Sequence, residues 1–397
     1  MHEPGATLED LRRSVREWCA THVPKGWRDQ QRGVSHADLI EFLRWWGGEL
    51  REAGLLAPHL PKEWGGGFSI AEQVVIAEEL ARGDAPRNAL YHVALFNVAP
   101  TLIHNATTAQ REHFLTGILS GDVWCQGFSE PNAGSDLASL STRAVRDGDN
   151  FVVTGQKVWT SWAMAADWCM LLVRTDPDAP KHKGISCLVV DMRSPGIEVR
   201  PIKQATGSAD FNELFIDGVV VPVDNLIGAE NNGWAVAQGT LAAERAIVVL
   251  EMTERLRRNG IEAAFTEAAR WRLDGGEPAL SDSTVREMLA ECHADAEVLR
   301  HMLNALIADI IRGADVGGPS AVIKVFYSEL LYKLMRYVTA LQGVTGQLAH
   351  PLLECSGWET GDWMIDYVHS FGWIIGGGTN EIMRNVIAER MLGLPRS

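Results

Sequence analysis

Residues 151–161 read FVVTGQKVWTS, and the fold class turns on them. The stretch is short, rich in β-branched residues, and preceded by the turn residues RDGDN (146–150). It reads as a strand carrying Trp159, Thr160 and Ser161. Further runs of the same texture follow at DWCMLLVRTD (167–176), GISCLVVDM (184–192), IEVRPI (197–202) and ELFIDGVVVP (213–222). The segments PDAPKHKG (177–184) and RSPG (193–196) separate them as turns. Together they make an all-β block of roughly one hundred residues.

Helical patterns lie on either side of this block. Upstream, Leu8, Leu11, Val15 and Trp18 recur at helix spacing. ADLIEFLRWWGGELREAGLL (37–56), IAEQVVIAEELARGD (70–84), a long apolar helix at ALYHVALFNVAPTLI (89–103) and TTAQREHFLTGILSGD (107–122) continue the pattern, punctuated by Gly or Pro. Downstream of NLIGAENNGW (225–234), long helices are expected over 234–259, 284–313 and 321–343, with Gly233, Gly260 and Gly313 at the breaks. The order is α, then β, then α. This is an α+β chain with expected domains at 1–122, 123–229 and 230–397.

Composition excludes several classes of function. The 397 residues exceed one ordinary core. A formal net charge of -15 repels phosphate backbones, so nucleic acid is not an expected partner. No apolar run is long enough to span a bilayer, and charges stand where a signal peptide needs an apolar stretch. A cytoplasmic protein is expected. Cys19, Cys125, Cys169, Cys187, Cys292 and Cys355 form no CxxC pair and no zinc-spaced cluster, so no metal site is expected and the thiols read as reduced and mostly packed in cores. Neither GxGxxG after a strand nor GxxxxGK[ST] occurs.

Two segments carry chemistry. WCQGFSEPNAGSDLASL (124–140), between the first α block and the β block, is rich in small residues and hydroxyls and can bring backbone N–H groups close to a polar ligand. GQKVWTSWA (155–163) sets an aromatic plane beside hydroxyls, which suits a planar heteroaromatic cofactor or, equally, a decorated hairpin.

Taken in order, GFSEPNAGSD (127–136), GQKVWTS (155–161), LAAERA (241–246) and GGGTNEIMRNVIAERMLGLP (376–395) resemble the acyl-CoA dehydrogenase family. The resemblance covers essentially the whole chain. It implies an N-terminal helical domain, a middle β-barrel or sandwich domain, a C-terminal four-helix bundle, and FAD. By the same resemblance Gln126, Phe128 and Ser129 line the flavin ring, Ser135 lies near the FAD pyrophosphate and the substrate, and Trp159 covers the flavin. Thr160 adjoins it, and Ser161 stands for a Thr that hydrogen-bonds flavin N5. Trp162 occupies a position that is usually small or Asn. Thr379 and Glu381 match contacts to the FAD diphosphate region, and Gln342 with Gly346 resembles the adenine-side element of a neighbouring subunit. In ARWRLDGGEP (269–278), Arg270 is kept, but Leu273 and Asp274 replace the family's Phe and Gly. That departure resembles members that assemble as mixed tetramers.

The family reaction is α,β-dehydrogenation of an acyl-CoA thioester, with the α proton taken by a carboxylate and the β hydrogen leaving as hydride to flavin N5. Electrons then pass to an electron-transferring flavoprotein. The best-known members carry the base in a C-terminal EGT triplet. Here that triplet is Gly377-Gly378-Thr379, and glycine cannot take a proton. In the long-chain and isovaleryl branches the base lies on a helix of the last domain, which corresponds to Glu244, followed by Arg245. Small apolar neighbours on both sides suit a desolvated carboxylate. The backbone N–H of Gly377 keeps the role of thioester-carbonyl donor. An acyl-CoA oxidase and a non-catalytic partner subunit are the alternatives, and a homo- or hetero-oligomer, dimer or tetramer, is expected. Branched, long or polycyclic acyl groups, a steroid thioester among them, are compatible with this pattern.

Overall fold

The computed structural model describes residues 7–273, 275–314, 316–344, 346 and 360–395, with the side chains of 241–251 outside that description. Asp274 and Cys355 also lie outside it. Helices α1 (Leu8–His22), α2 (Trp27–Gln30), α3 (His36–Glu52), α4 (Ile70–Arg82), α5 (Ala99–Asn105) and α6 (Thr108–Ser120) come first. Strands β1 (Trp124–Gly127), β2 (Arg143–Asp147), β3 (Asn150–Ser161), β4 (Trp168–Arg174), β5 (Ile185–Asp191), β6 (Ile197–Pro201), β7 (Phe211–Pro222) and β8 (Leu226–Ile227) follow. Helices α7 (Gly233–Arg255), α8 (Ala263–Arg270), α9 (Ser283–Ile311), α10 (Gly317–Leu341), α11 (Trp363–Ile375) and α12 (Asn380–Val386) come last among the described residues, with a π-helical stretch at Ile387–Met391 after them. The fold is α+β: helical, then β-sheet, then helical. No helix among the described residues is long and apolar enough to cross a membrane.

The N-terminal helices start where their caps dictate. Thr7, Ser35, Ser69 and Thr107 each accept a bond from the backbone N–H three residues on, and Asp10, Asp38, Glu72 and Gln110 return it to the cap. In α1 the buried stripe is Leu11, Val15 and Cys19, while Leu8 is exposed. The core face is thus turned from the one the apolar spacing suggests.

Contacts divide the chain into two compact units. One comprises Met1–Val34, Phe68–Arg87 and Arg245–Ser397; the other comprises Ser35–Gly67 and Asn88–Glu244. The second unit contains the sheet. Its strand order is β6-β7-β3-β2-β4-β5-β8, with β1 added parallel to β4. The strands β6-β7-β3-β2 and β1-β4-β5-β8 form two halves joined at one residue pair, Arg143 with Arg174. Phe151, Val153, Leu214 and Ile216 from one half share a core with Leu171, Val173, Leu188 and Val190 from the other. The halves therefore face each other as a sandwich with open edges at β6 and β8. Strands β4 and β5 are covered on both faces and read as nearly unbroken apolar runs, whereas β3 and β7 alternate. The expected helix at 89–103 is instead a 3₁₀ turn (Ala89–Tyr91), a π-helical stretch (Val93–Val98) and α5, with Pro100 in the first turn of α5.

The first unit packs α7–α8, α9 and α10 around one core, with Trp363, Tyr367 and Trp373 of α11 laid against it. Gly260 does not end the helix there. A π-helical stretch, Leu256–Glu262, carries it into α8 because Leu256, Ile261, Ala264 and Ala268 are all buried on its inner side. In both units the described cysteines, Cys19, Cys125, Cys169, Cys187 and Cys292, are unpaired and buried.

Candidate active site

In the sheet-bearing unit the first chemical segment leaves β1 and folds back over β3. Gln126 ends close to Asn97, whose amide donates to its Oε1 at 2.6 Å. Phe128 is buried and Ser129 half-buried. Glu130 and Ala133 exchange backbone bonds of 3.1 and 3.0 Å, which makes a tight turn at Pro131-Asn132 and lifts Ser135 into solvent. The Ser129 carbonyl accepts from Val158 N–H at 3.0 Å, so the loop lies along the second chemical segment.

That segment is distorted where its aromatic residue stands. The pairing of β3 with β7 shifts between Lys157, opposite Leu214, and Thr160, opposite Asn212. The extra residue is a β-bulge, and Trp159 in it has φ 61°, a left-handed conformation costly for a bulky side chain. Its ring is 58% exposed and stands edge-on to Phe211 at 6.1 Å. Thr160 turns inward, and its buried hydroxyl has no hydrogen-bond partner among the described residues. Ser161 is half-buried. Trp162, also left-handed, tucks into its own unit against His36 at 5.7 Å. Gln126, Phe128, Ser129, Trp159, Thr160 and Ser161 are thereby gathered onto β1, β3 and the loop between them.

Two charged residues within these motifs passed as ordinary on sequence grounds. Lys157 is fully buried, and its ammonium donates to Glu130 Oε1 at 2.8 Å and to the Phe128 carbonyl at 3.1 Å. Glu130 also accepts from Ser141 N–H, Ser141 Oγ and Thr142 N–H at 2.7, 2.8 and 2.8 Å. Burial lifts the Glu130 carboxyl, but the Lys157 ammonium and the Thr142 and Ser141 donors outweigh it and hold it at about 2. Burial likewise pushes Lys157 down to about 8, against the pull of Glu130. An alternation of apolar and charged residues does not reveal that one charge faces inward.

The Glu130 shift has a sign. A carboxyl held lower in the folded chain than in the unfolded one contributes stability above its unfolded pKa and loses it as pH falls through its folded pKa. The contribution, about 3 kcal/mol, is expected to vanish between about pH 4.5 and pH 2. Urea unfolding of wild type and Glu130→Gln across that range tests this. Equal slopes with pH in the two proteins would rule it out.

The proposed base stands on α7. Glu244 and Arg245 lie in that helix, and their side chains belong to the stretch outside the description. One turn earlier, Thr240 is buried, its hydroxyl 2.7 Å from that of Thr101 on α5. Thr101 bonds back to the Asn97 carbonyl at 2.7 Å. A line of polar contacts thus runs from Gln126 through Asn97 and Thr101 to the turn before Glu244.

The other unit carries the glycine-rich segment. Gly377 and Gly378 have φ 65° and 91°, so both use the left-handed region open to glycine, and Gly377 is exposed. Thr379 caps α12 by accepting from Ile382 N–H at 3.2 Å, and Glu381 is exposed on its first turn. Lys324 of α10 donates to the Gly378 carbonyl at 2.8 Å, the Asn380 side chain at 2.8 Å and the Ile374 carbonyl at 3.3 Å. This lysine holds the segment's shape, and no motif in the sequence announces it. Gln342 closes α10 and lies beside Gly346, where an added Cβ would come within 2.7 Å of the Gln342 Cβ. Arg270 pairs with Glu267 at 3.1 Å on α8, and Leu273 packs against the helical core.

Domain models of the acyl-CoA dehydrogenase family match almost all of the chain: the N-terminal domain over residues 6–122, the middle domain over 125–219 and the C-terminal domain over 231–392. Acyl-CoA dehydrogenase IpdE1 of Mycobacterium tuberculosis is 36% identical over 400 residues, covering 98% of each chain. Acyl-CoA dehydrogenase FadE34 of the same organism is 41% identical over 349 residues, 87% of this chain and 46% of the relative, so the chain spans about half that relative's length. Among solved structures, the Tcur3481-Tcur3483 steroid ACAD has a TM-score of 0.84 at 33% identity, covering 100% of this chain and 99% of that one.

Proposed function

The chain belongs to the acyl-CoA dehydrogenase family, and we propose that it is an FAD-dependent enzyme that dehydrogenates a steroid-derived acyl-CoA between Cα and Cβ. The observation that carries the cofactor reading is Trp159, a large ring held exposed in a left-handed bulge, next in sequence to Val158, whose N–H bonds the Ser129 carbonyl. Strained backbone concentrates at sites that face a ligand, and an exposed indole plane there is a surface on which a planar ring can stack. Gln126, Phe128, Ser129, Trp159 and Ser161 would hold the flavin ring, with Ser135, Thr379 and Glu381 towards the diphosphate. Bound FAD supplies the acceptor for the two electrons that leave with the substrate's β hydrogen. Glu244 takes the α proton and becomes the neutral acid. The Gly377 N–H donates to the thioester oxygen as negative charge builds there. An electron-transferring flavoprotein reoxidises the enzyme.

Assembly with a second chain is part of the reading. The Arg270 segment lacks the family's ring and glycine, and a similar solved protein is named as a pair, Tcur3481-Tcur3483. The name of that protein also motivates the steroid thioester. The test is the purified protein, alone and co-expressed with a candidate partner chain. A flavin absorption spectrum and reduction of a dye acceptor by steroid, branched and long-chain thioesters are measured on each. Flavin bands and dye reduction fastest with a steroid thioester are expected. A colourless protein that FAD does not reconstitute, in both preparations, would overturn the assignment.

A further inference from the structure

We propose that the buried Lys157–Glu130 pair is the positioning clamp of the cofactor loop, fixing residues 127–142 against the bulged strand that presents Trp159. The proposal rests on the FAD reading above. Its basis is that the pair ties both ends of the loop to one point. Lys157 holds the entering end through the Phe128 carbonyl and Glu130, while Glu130 holds the returning end through Ser141 and Thr142.

The backbone is shaped to allow this approach. A Cβ on Gly127 would come within 2.6 Å of the Leu171 side chain and 3.5 Å of the Lys157 stem. A Cβ on Gly155, two residues before Lys157, would come within 2.7 Å of the Thr142 Cα. Gly155 therefore lets β3 lie directly against the returning end of the loop at Thr142, and Gly127 lets the entering end pack closely on Leu171 and Lys157. On the far side of Lys157 the ladder breaks into the bulge, and Trp159 turns outward. One buried ammonium thus holds the Phe128 carbonyl, next to Ser129, from a residue two positions before Trp159.

Stability alone accounts poorly for the choice of a charged pair here, because the contribution of Glu130 above is relative to its own protonated form and not to an apolar residue. Removing two charges from water costs more than a matched apolar pair of the same volume would, so burying lysine and glutamate here is not the economical way to fill a core. An apolar side chain would fill the same space but has nothing to offer the Phe128 carbonyl. What the charges add is direction: five hydrogen bonds, all converging on one short loop.

The test compares the purified protein with Lys157→Met and with the charge-neutral double variant Lys157→Met/Glu130→Gln. The double variant keeps volume and leaves no unpaired charge, so it serves if the single variant does not fold. Hydrogen exchange of peptides spanning 127–142 is expected to quicken by about tenfold or more, with β4 and β5 unchanged. FAD affinity is expected to fall by about tenfold to a hundredfold, the scale of losing one charge-assisted hydrogen bond, with a shifted flavin band. Unchanged exchange in 127–142 would overturn the clamp whether or not flavin is bound. Faster exchange with unaltered FAD affinity and spectrum would overturn its cofactor role. If wild type takes up no FAD, the cofactor reading fails and the flavin half of this proposal with it, and the exchange data still decide the clamp.

Discussion

Glu244→Gln is expected to lower dehydrogenation by about a hundredfold or more while leaving flavin content unchanged. Glutamine keeps the size and much of the hydrogen bonding of glutamate and loses only its basicity. Gly377 occupies the position that the resemblance assigns to the base in other members, and glycine has no carboxylate, so the proposed base lies elsewhere in the chain. Glu244 is the candidate within LAAERA, and it lies on α7. Thr240, one turn earlier, is buried and tied to Thr101. A base must be held to within a fraction of an ångström of the proton it removes, and the Thr240–Thr101 pair fixes the turn of α7 that precedes Glu244. Measuring single-turnover flavin reduction in wild type and variant separates proton abstraction from later electron transfer. Near-wild-type reduction by Glu244→Gln would sink the assignment. Adding Gly377→Glu to that variant is a harsher version of the same test. Gly377 sits at φ 65°, so a glutamate there carries about 1–2 kcal/mol of backbone strain, and any recovered rate comes with lower stability.

How far the sequence could be read follows from where each signal is stored. The strands at 151–161 and 213–222 were legible because one face of each is covered and the β-branched pattern survives. The α-β-α order was legible for the same reason. The continuation of α7 through Gly260 was not, because glycine's local preference is small beside the burial of Leu256 and Ile261 on either side of it. The bulge at Trp159 was also hidden: register is a property of two strands, and one strand's sequence does not contain it. Of the residues named by the motifs, Gln126, Phe128, Ser129, Trp159, Thr160 and Ser161 lie on β1, β3 and the loop after β1, while Gly377, Thr379 and Glu381 belong to the other unit. Their supports, Lys157, Glu130, Asn97 and Lys324, did not stand out. A lysine that bonds three acceptors and a lysine in water are written with the same letter, and only packing tells them apart.

Glu79 makes that point with a measurable consequence, because it shares its local context with Glu244. Both are glutamates on helices rich in Ala, Val and Leu, with arginines nearby in sequence. The structure places Glu79 at 0% exposure, bonded to Arg12 at 2.8 Å and to Arg16 at 2.9 and 3.1 Å, with Arg82 at 3.3 Å. Burial lifts its carboxyl, but the Arg16 and Arg12 bonds and the charge of Arg82 outweigh it and set it below the usual range. A carboxylate so paired is too weak a base for an α proton, whatever its burial. Its work is to join α1 to α4. Glu79→Gln is expected to cost about 3 kcal/mol of stability, near the lower end for breaking a buried pair because Arg16 and Arg82 reach solvent and can rehydrate. For the variant that folds, catalytic rate per bound flavin should be unchanged. Chemical denaturation at neutral pH reads the first quantity and flavin reduction the second. A stability loss under about 1 kcal/mol would show that water repays the arginines almost fully. A rate loss like that of Glu244→Gln would mean that a carboxylate paired with arginines takes part in the reaction, against the assignment of Glu79 as a helix tie.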